Sequence, residues 1–259
     1  MLIGAMNFPG RSVAKEVHRI AEDGFDFVDL TIEPPAAWTP DGNQIGRLIA
    51  DLGLAVVGHT AWYLPIASAF PELRATARDL FKRALDTFSD AGVELVNIHP
   101  DQKVPLHSMA NLRAMNADAI ANIAEDAAAR GIRLMVENLD KVFAAPGDLQ
   151  PIFERWPDLG FHLDVGHANL NLGLGEPNRT EALLDAFGDR LAHVHISDNR
   201  GGAADLHLPL GAGSIDWKGH ARLLKERGWD ATVTLEVFSR DREYLRASRR
   251  AWLRIWSEA

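Results

Sequence analysis

The residues best suited to chemistry recur at the ends of short apolar runs. His59 follows Val56-Val57-Gly58, and Asn97-Ile98-His99-Pro100 closes the next run. Val136-Glu137-Asn138 ends a third, and His162-Leu163-Asp164-Val165-Gly166-His167 a fourth. The fifth contains His193-Val194-His195 and is followed by Asp205-Leu206-His207, and Thr234-Leu235-Glu236 ends the sixth. Histidine and carboxylate together suit borderline divalent cations such as Zn²⁺, Mn²⁺, Fe²⁺ or Co²⁺. Without a cation, Glu137, Asp164 and Glu236 would crowd negative charge around one point, and at least one pKa would have to rise.

The elements that must hold these residues alternate along the whole chain. Strands are expected over Leu2–Met6, Phe25–Ile32, Leu54–Gly58, Val93–Ile98, Ile132–Glu137, Gly160–Asp164, Leu191–Ile196 and Ala231–Glu236. Helical patterns lie between them, among them Ser12–Asp23, Glu72–Ala91, Ser108–Arg130, Glu181–Phe187 and Trp217–Arg227, with a last one over Arg242–Trp256. Gly24, Gly53, Gly92, Gly131 and Gly228 each follow a helical stretch, where left-handed backbone costs glycine little. Eight such alternations predict a single α/β domain over residues 1–259, a parallel (β/α)₈ TIM barrel. An open doubly wound sheet is the alternative, but Asn7-Phe8-Pro9-Gly10 after the first strand is no GxGxxG phosphate loop. In a barrel, six successive strands thus deliver a histidine or carboxylate to the carboxyl-terminal face, where such folds place their active sites.

Composition narrows the function classes. The 259 residues carry 36 acidic against 27 basic groups, a net charge of −9 with no basic cluster, so a nucleic-acid partner is disfavoured. There is no cysteine, which removes disulfides, thiolate nucleophiles and thiolate-bound zinc. No signal-peptide pattern and no run of about 18 apolar residues is found, so a soluble cytoplasmic protein without a membrane partner is expected. Substrate, metal and oligomeric state are open, a homo-oligomer included.

Several ionisable residues also have plain structural readings. His193 is expected to face the helices, and His18, His162, Glu94 and His220 to be packing or surface groups. Asp198 and Arg200 are either substrate contacts or ordinary loop residues in the long stretch from Ser197 to Ile215. Glu33 could orient a substrate hydroxyl or a ligand histidine. Trp38 and Trp62-Tyr63, each near proline, suit the rim of a small pocket or rim packing. Against these stand nine residues at matched strand ends: His59, His99, Glu137, Asp164, His167, His195, Asp205, His207 and Glu236.

Taken in order, Glu137-Asn138, Leu163-Asp164-Val165-Gly166-His167, His195-Ile196-Ser197-Asp198-Asn199 and Leu235-Glu236 resemble the xylose-isomerase-like barrel superfamily, over nearly the whole chain. That group includes sugar and sugar-phosphate isomerases and epimerases, inosose dehydratases, hydroxypyruvate isomerases and endonuclease IV. By resemblance to its epimerases, Glu137, Asp164, His195 and Glu236 would bind one metal, with Glu137 and Glu236 as the acid–base pair and His167 near the substrate. Resemblance to endonuclease IV implies three zinc ions on all nine residues, Asp205-x-His207 before Leu210-Gly211-Ala212-Gly213 matching especially well. The expected cofactor is therefore one to three divalent ions. Three functions follow: isomerase or epimerase of a small sugar, sugar phosphate or polyol; phosphoesterase; or a binding barrel without turnover. The acidic chain lacks the nuclease's basic, glycine-rich loops. It also has Gly201 where the epimerases carry an arginine, with Arg200 beside it.

Overall fold

The computed structural model describes residues 1–259. Eight parallel strands, β1 (Leu2–Met6), β2 (Phe27–Ile32), β3 (Ala55–Thr60), β4 (Leu95–Ile98), β5 (Arg133–Glu137), β6 (Gly160–Asp164), β7 (Leu191–Ile196) and β8 (Thr232–Leu235), pair in chain order. β1 pairs with β8, Gly4 opposite Thr234, so the sheet closes on itself. The helices are α1 (Val13–Glu22), α2 (Gly42–Asp51), α3 (Pro71–Asp90), α4 (Met109–Ala128), α5 (Pro146–Arg155), α6 (Thr180–Phe187), α7 (Trp217–Glu226) and α8 (Glu243–Glu258). This is the expected (β/α)₈ barrel. The five turn glycines named from sequence all have φ between 68° and 79°.

Two helices escape the sequence pattern for physical reasons. α2 carries Gly42 and Gly46, which weaken helical propensity. A Cβ on Gly46 would stand 2.8 Å from the Ala91 carbonyl oxygen, so a neighbouring segment requires that glycine. α5 opens on Pro146 and contains Pro151, which blurs its periodicity. β3 runs past Gly58 to Thr60, held by the Thr60 hydroxyl donating to the Asn97 carbonyl at 2.8 Å.

Most of the core is a shell of 57 buried residues between strands and helices. A separate small cluster, Phe27, Val57 and Met135 with Leu95 and Ala192 against it, fills the barrel floor. Gly4 is required there, because a Cβ would meet the Phe27 ring at 2.3 Å. Two residues further along each strand, on the same face, the interior turns polar: Asp29, His59, Asn97 and Glu137 are all buried.

Candidate metal centre

All nine expected residues converge at the carboxyl-terminal end of the strands. His59, His99, Glu137, His167, Asp205, His207 and Glu236 line one cavity of about 740 Å³. Asp164 and His195, both buried, lie directly against them. The cluster has three lobes. In the first, His99 Nε2 is 2.9 Å and His59 Nε2 3.9 Å from Glu137 Oε2. In the second, His195 Nδ1 stands 3.3 Å from Glu236 Oε2 and 3.9 Å from Asp164 Oδ2. In the third, Asp205 Oδ2 lies 3.2 Å from His167 Nε2 and 2.8 Å from His207 Nε2. Glu137 joins the lobes through Oε1, 3.2 Å from His167 Nδ1. Donor atoms of Asp164, His195 and Glu236 all lie within 4.8 Å of one another, as do those of Glu137, Asp164 and His167, and of His59, Glu137 and His195.

Electrostatics follow from packing four carboxylates and five imidazoles together. Burial, with the Glu236 and Glu137 charges added, raises the Asp164 pKa to about 7, the conflict expected from the sequence. Burial works against Glu236 as well, yet His207 and His195 bring its carboxyl down to about 2. Burial opposes the charge on His207, but Glu236 and Asp205 lift it to about 9. His59 falls to about 4, chiefly by burial and the neighbouring His99.

The donors fit a divalent cation. Asp164 Oδ2 and His59 Nε2, both turned into the cluster, are buried without a hydrogen-bond partner. Such atoms are costly to leave unpaired. A cation among these oxygens and imidazoles would satisfy them and remove the carboxylate repulsion. Glu137, Asp164, His195 and Glu236 could hold one ion, and the outer lobes offer donors for two more.

One other expectation needs correction, and three open alternatives are decided. His193 does not face the helices: residues two apart on a strand share a face, so it points inward below His195. It sits 2.7 Å from Thr232 Oγ1 and 2.9 Å from Thr234 Oγ1. His162 is wholly buried inside the barrel rather than at the surface, with Nδ1 3.2 Å from Glu137 Oε2. Asp198 is a loop staple, accepting from Gly211 N–H at 2.8 Å and from Trp217 Nε1–H at 3.1 Å. Trp38 packs against the core under Arg83 and does not line the cavity, whereas Trp62 and Glu33 do.

Sequence reasoning missed Asp29 and Asn97. Asn97 Nδ2 donates to Glu137 Oε2 at 2.6 Å, and Asp29 accepts from His195 Nε2–H at 2.8 Å. A carboxylate inside the apolar run Phe27-Val28-Asp29-Leu30 was the available signal.

Comparison with known proteins places the chain. It is 25% identical over 251 residues to the L-ribulose 3-epimerase of Methylomonas sp. (strain DH-1), covering 92% of this chain and 82% of that protein. It is 24% identical over 247 residues to a probable endonuclease 4 of Aquifex aeolicus (strain VF5), covering 87% of each. The crystal structure of a D-tagatose 3-epimerase-like protein superposes with a TM-score of 0.86 at 24% identity, over 100% of this chain and 99% of that one, a likeness of fold. Residues 17–256 match a single family, and by that match the chain belongs to the xylose isomerase-like TIM barrels.

Proposed function

We propose that the protein is a divalent-cation-dependent epimerase or isomerase of a small sugar, sugar phosphate or polyol. The observation that carries this reading is the placement of Glu137 and Glu236. They come from β5 and the end of β8, line the same cavity and flank Asp164 and His195. The similarity to an L-ribulose 3-epimerase supports the substrate class.

A bound cation would polarise a substrate carbonyl and its neighbouring hydroxyl, stabilising the enediolate left when a carbon-bound proton departs. One of Glu137 and Glu236 takes that proton and the other returns one. Each positioned acid or base typically contributes about 10²–10⁴-fold. Asn97 donates to Glu137 Oε2 and so orients this carboxylate. His195 and His207 lie beside Glu236 and hold it in its ionised form. Phe8, Trp62 and Phe238 stand exposed on the cavity rim, where they can cover a sugar and limit water.

A phosphoesterase reading rests on one observation of its own, the full set of nine donors in three lobes, in a chain similar to a probable endonuclease 4. The net charge of −9 opposes it. Elemental analysis of protein purified without chelator, with a ketose panel run in deuterium oxide, tests both. One ion per chain with deuterium entering a carbon position supports the epimerase. Two or three ions with phosphoester cleavage, and no carbon exchange on any sugar, would sink it.

A further inference from the structure

We propose that Asp29 is a positioning residue that fixes which nitrogen of His195 faces the pocket, through a hydrogen-bond chain descending inside the barrel. The inference rests on the reading of His195 as a cation ligand.

Asp29 sits in the middle of β2, 1% exposed, on the inner face of the strand. A carboxylate so placed is strongly disfavoured unless donors surround it. Two of them converge on Oδ2: His195 Nε2 at 2.8 Å and the Thr234 hydroxyl at 2.9 Å.

Proton counting makes the chain directional. Thr234 has a single hydroxyl proton, and it is committed to Asp29. The 2.9 Å contact between Thr234 Oγ1 and His193 Nε2 therefore has His193 donating. With its proton on Nε2, neutral His193 accepts at Nδ1 from the Thr232 hydroxyl, 2.7 Å away. The sequence of donations is Thr232 to His193, His193 to Thr234, and Thr234 to Asp29, with His195 meeting the same carboxylate from above.

The consequence for His195 is chemical. A proton on Nε2 is held by Asp29, so Nδ1 is the nitrogen turned toward Glu236 Oε2 and Asp164 Oδ2. The opposite tautomer would set a lone pair against a buried carboxylate. Asp29 forbids it, and leaves Nδ1 as the atom that can give its lone pair to a cation. Outer-shell carboxylates of this kind typically change metal affinity about 10–100-fold.

The test is zinc affinity of chelator-stripped protein, by competition with a metal-binding dye, at the class of sites lost in His195→Gln. Asp29→Asn keeps an acceptor and removes the charge, and should weaken those sites about 10–100-fold. Thr234→Val leaves the charge and removes one donor, so it should weaken them less than Asp29→Asn does. A nitrogen–proton correlation spectrum of the zinc-loaded wild type should show His195 protonated at Nε2. A purely structural Asp29 would lower the melting temperature of Asp29→Asn without changing zinc affinity. Unchanged affinity in a folded Asp29→Asn, or a His195 proton on Nδ1, would overturn the inference alone. Should Asp29→Asn not fold, affinity in Thr234→Val equal to wild type would overturn it. No zinc binding by the wild type would overturn it together with the metal-centre reading.

Discussion

On strands β2 to β5 the two halves of the barrel interior obey opposite rules. In the lower half the inward residues are Phe27, Val57, Leu95 and Met135, packed against one another. Two positions further along the same strands stand Asp29, His59, Asn97 and Glu137, buried just as deeply. One step of the strand period changes packing into chemistry. The lower half closes the barrel and contributes burial. The upper half holds buried charges whose mutual arrangement is worth little to stability compared with apolar side chains of similar volume, so size-preserving neutral replacements there should leave the fold intact. Substitutions should therefore divide by level, activity and cation binding being lost above and stability below.

The largest effect is expected at the top. Glu137→Gln and Glu236→Gln keep side-chain size and remove the base, so turnover should fall by about 10²–10⁴-fold or more in each. Both variants should stay folded, as read by circular dichroism, and retain at least partial cation occupancy. Wild-type rates in either would remove that glutamate from the chemistry.

On the floor, Phe27→Ala should cost about 3–5 kcal/mol and Met135→Ala about 2–5 kcal/mol in urea unfolding. Cation stoichiometry of the folded protein should be unaltered. A floor variant that lost its cation while remaining stable would break the division between the halves.

Cation removal should move the whole molecule by a smaller amount. Saturation at about 100 times Kd corresponds to about 2.7 kcal/mol over the stripped protein. Stripping with chelator should lower the melting temperature, and re-addition should restore it. A melting temperature indifferent to the cation would mean that the upper half is no binding centre.

The smallest expected effect is the pH response of the stripped protein. The folded-state pKa of His207 lies above its ordinary 6.5, at about 9, held there by Glu236 and Asp205 against burial. Its contribution to stability is complete below pH 6.5 and is lost as pH rises through about 9. Asp164, raised to about 7, acts in the same direction over the interval from about 3.8 to 7. The melting temperature should fall between pH 6.5 and 9, and His207→Gln should flatten that part of the profile. An unchanged slope would assign the loss to other groups.

How much was legible follows from the kind of signal each residue leaves. Glu137, Asp164 and Glu236 end apolar runs, so strand periodicity and polarity agree, and their common level can be read directly. Asp205-Leu206-His207 could be placed near the mouth from the strand it follows, but its part in the ligand set came only through likeness to a family, because a loop carries no period. α2 was hidden by glycines whose reason lies in a neighbouring segment, Ala91 above Gly46, and α5 by its prolines. His162 and His193 were set aside because a second inward layer resembles ordinary packing when only one layer is sought. Asp29 left a single acidic letter in an apolar strand.

By itself the sequence determined the alternation of strand and helix, the end of the barrel where chemistry gathers, and the residue types that suit a cation. These are local properties, set by side-chain period, backbone preference and donor chemistry. The tertiary structure alone decided that β1 meets β8, which carries Thr234 to the carboxylate of Asp29, 205 positions away in the chain. It alone decided which nitrogen of His195 meets that carboxylate and which is left for the pocket. The physical reason is closure: residues far apart in the chain come within hydrogen-bond distance only when eight strands curl into one ring, and burial then makes each of those contacts obligatory.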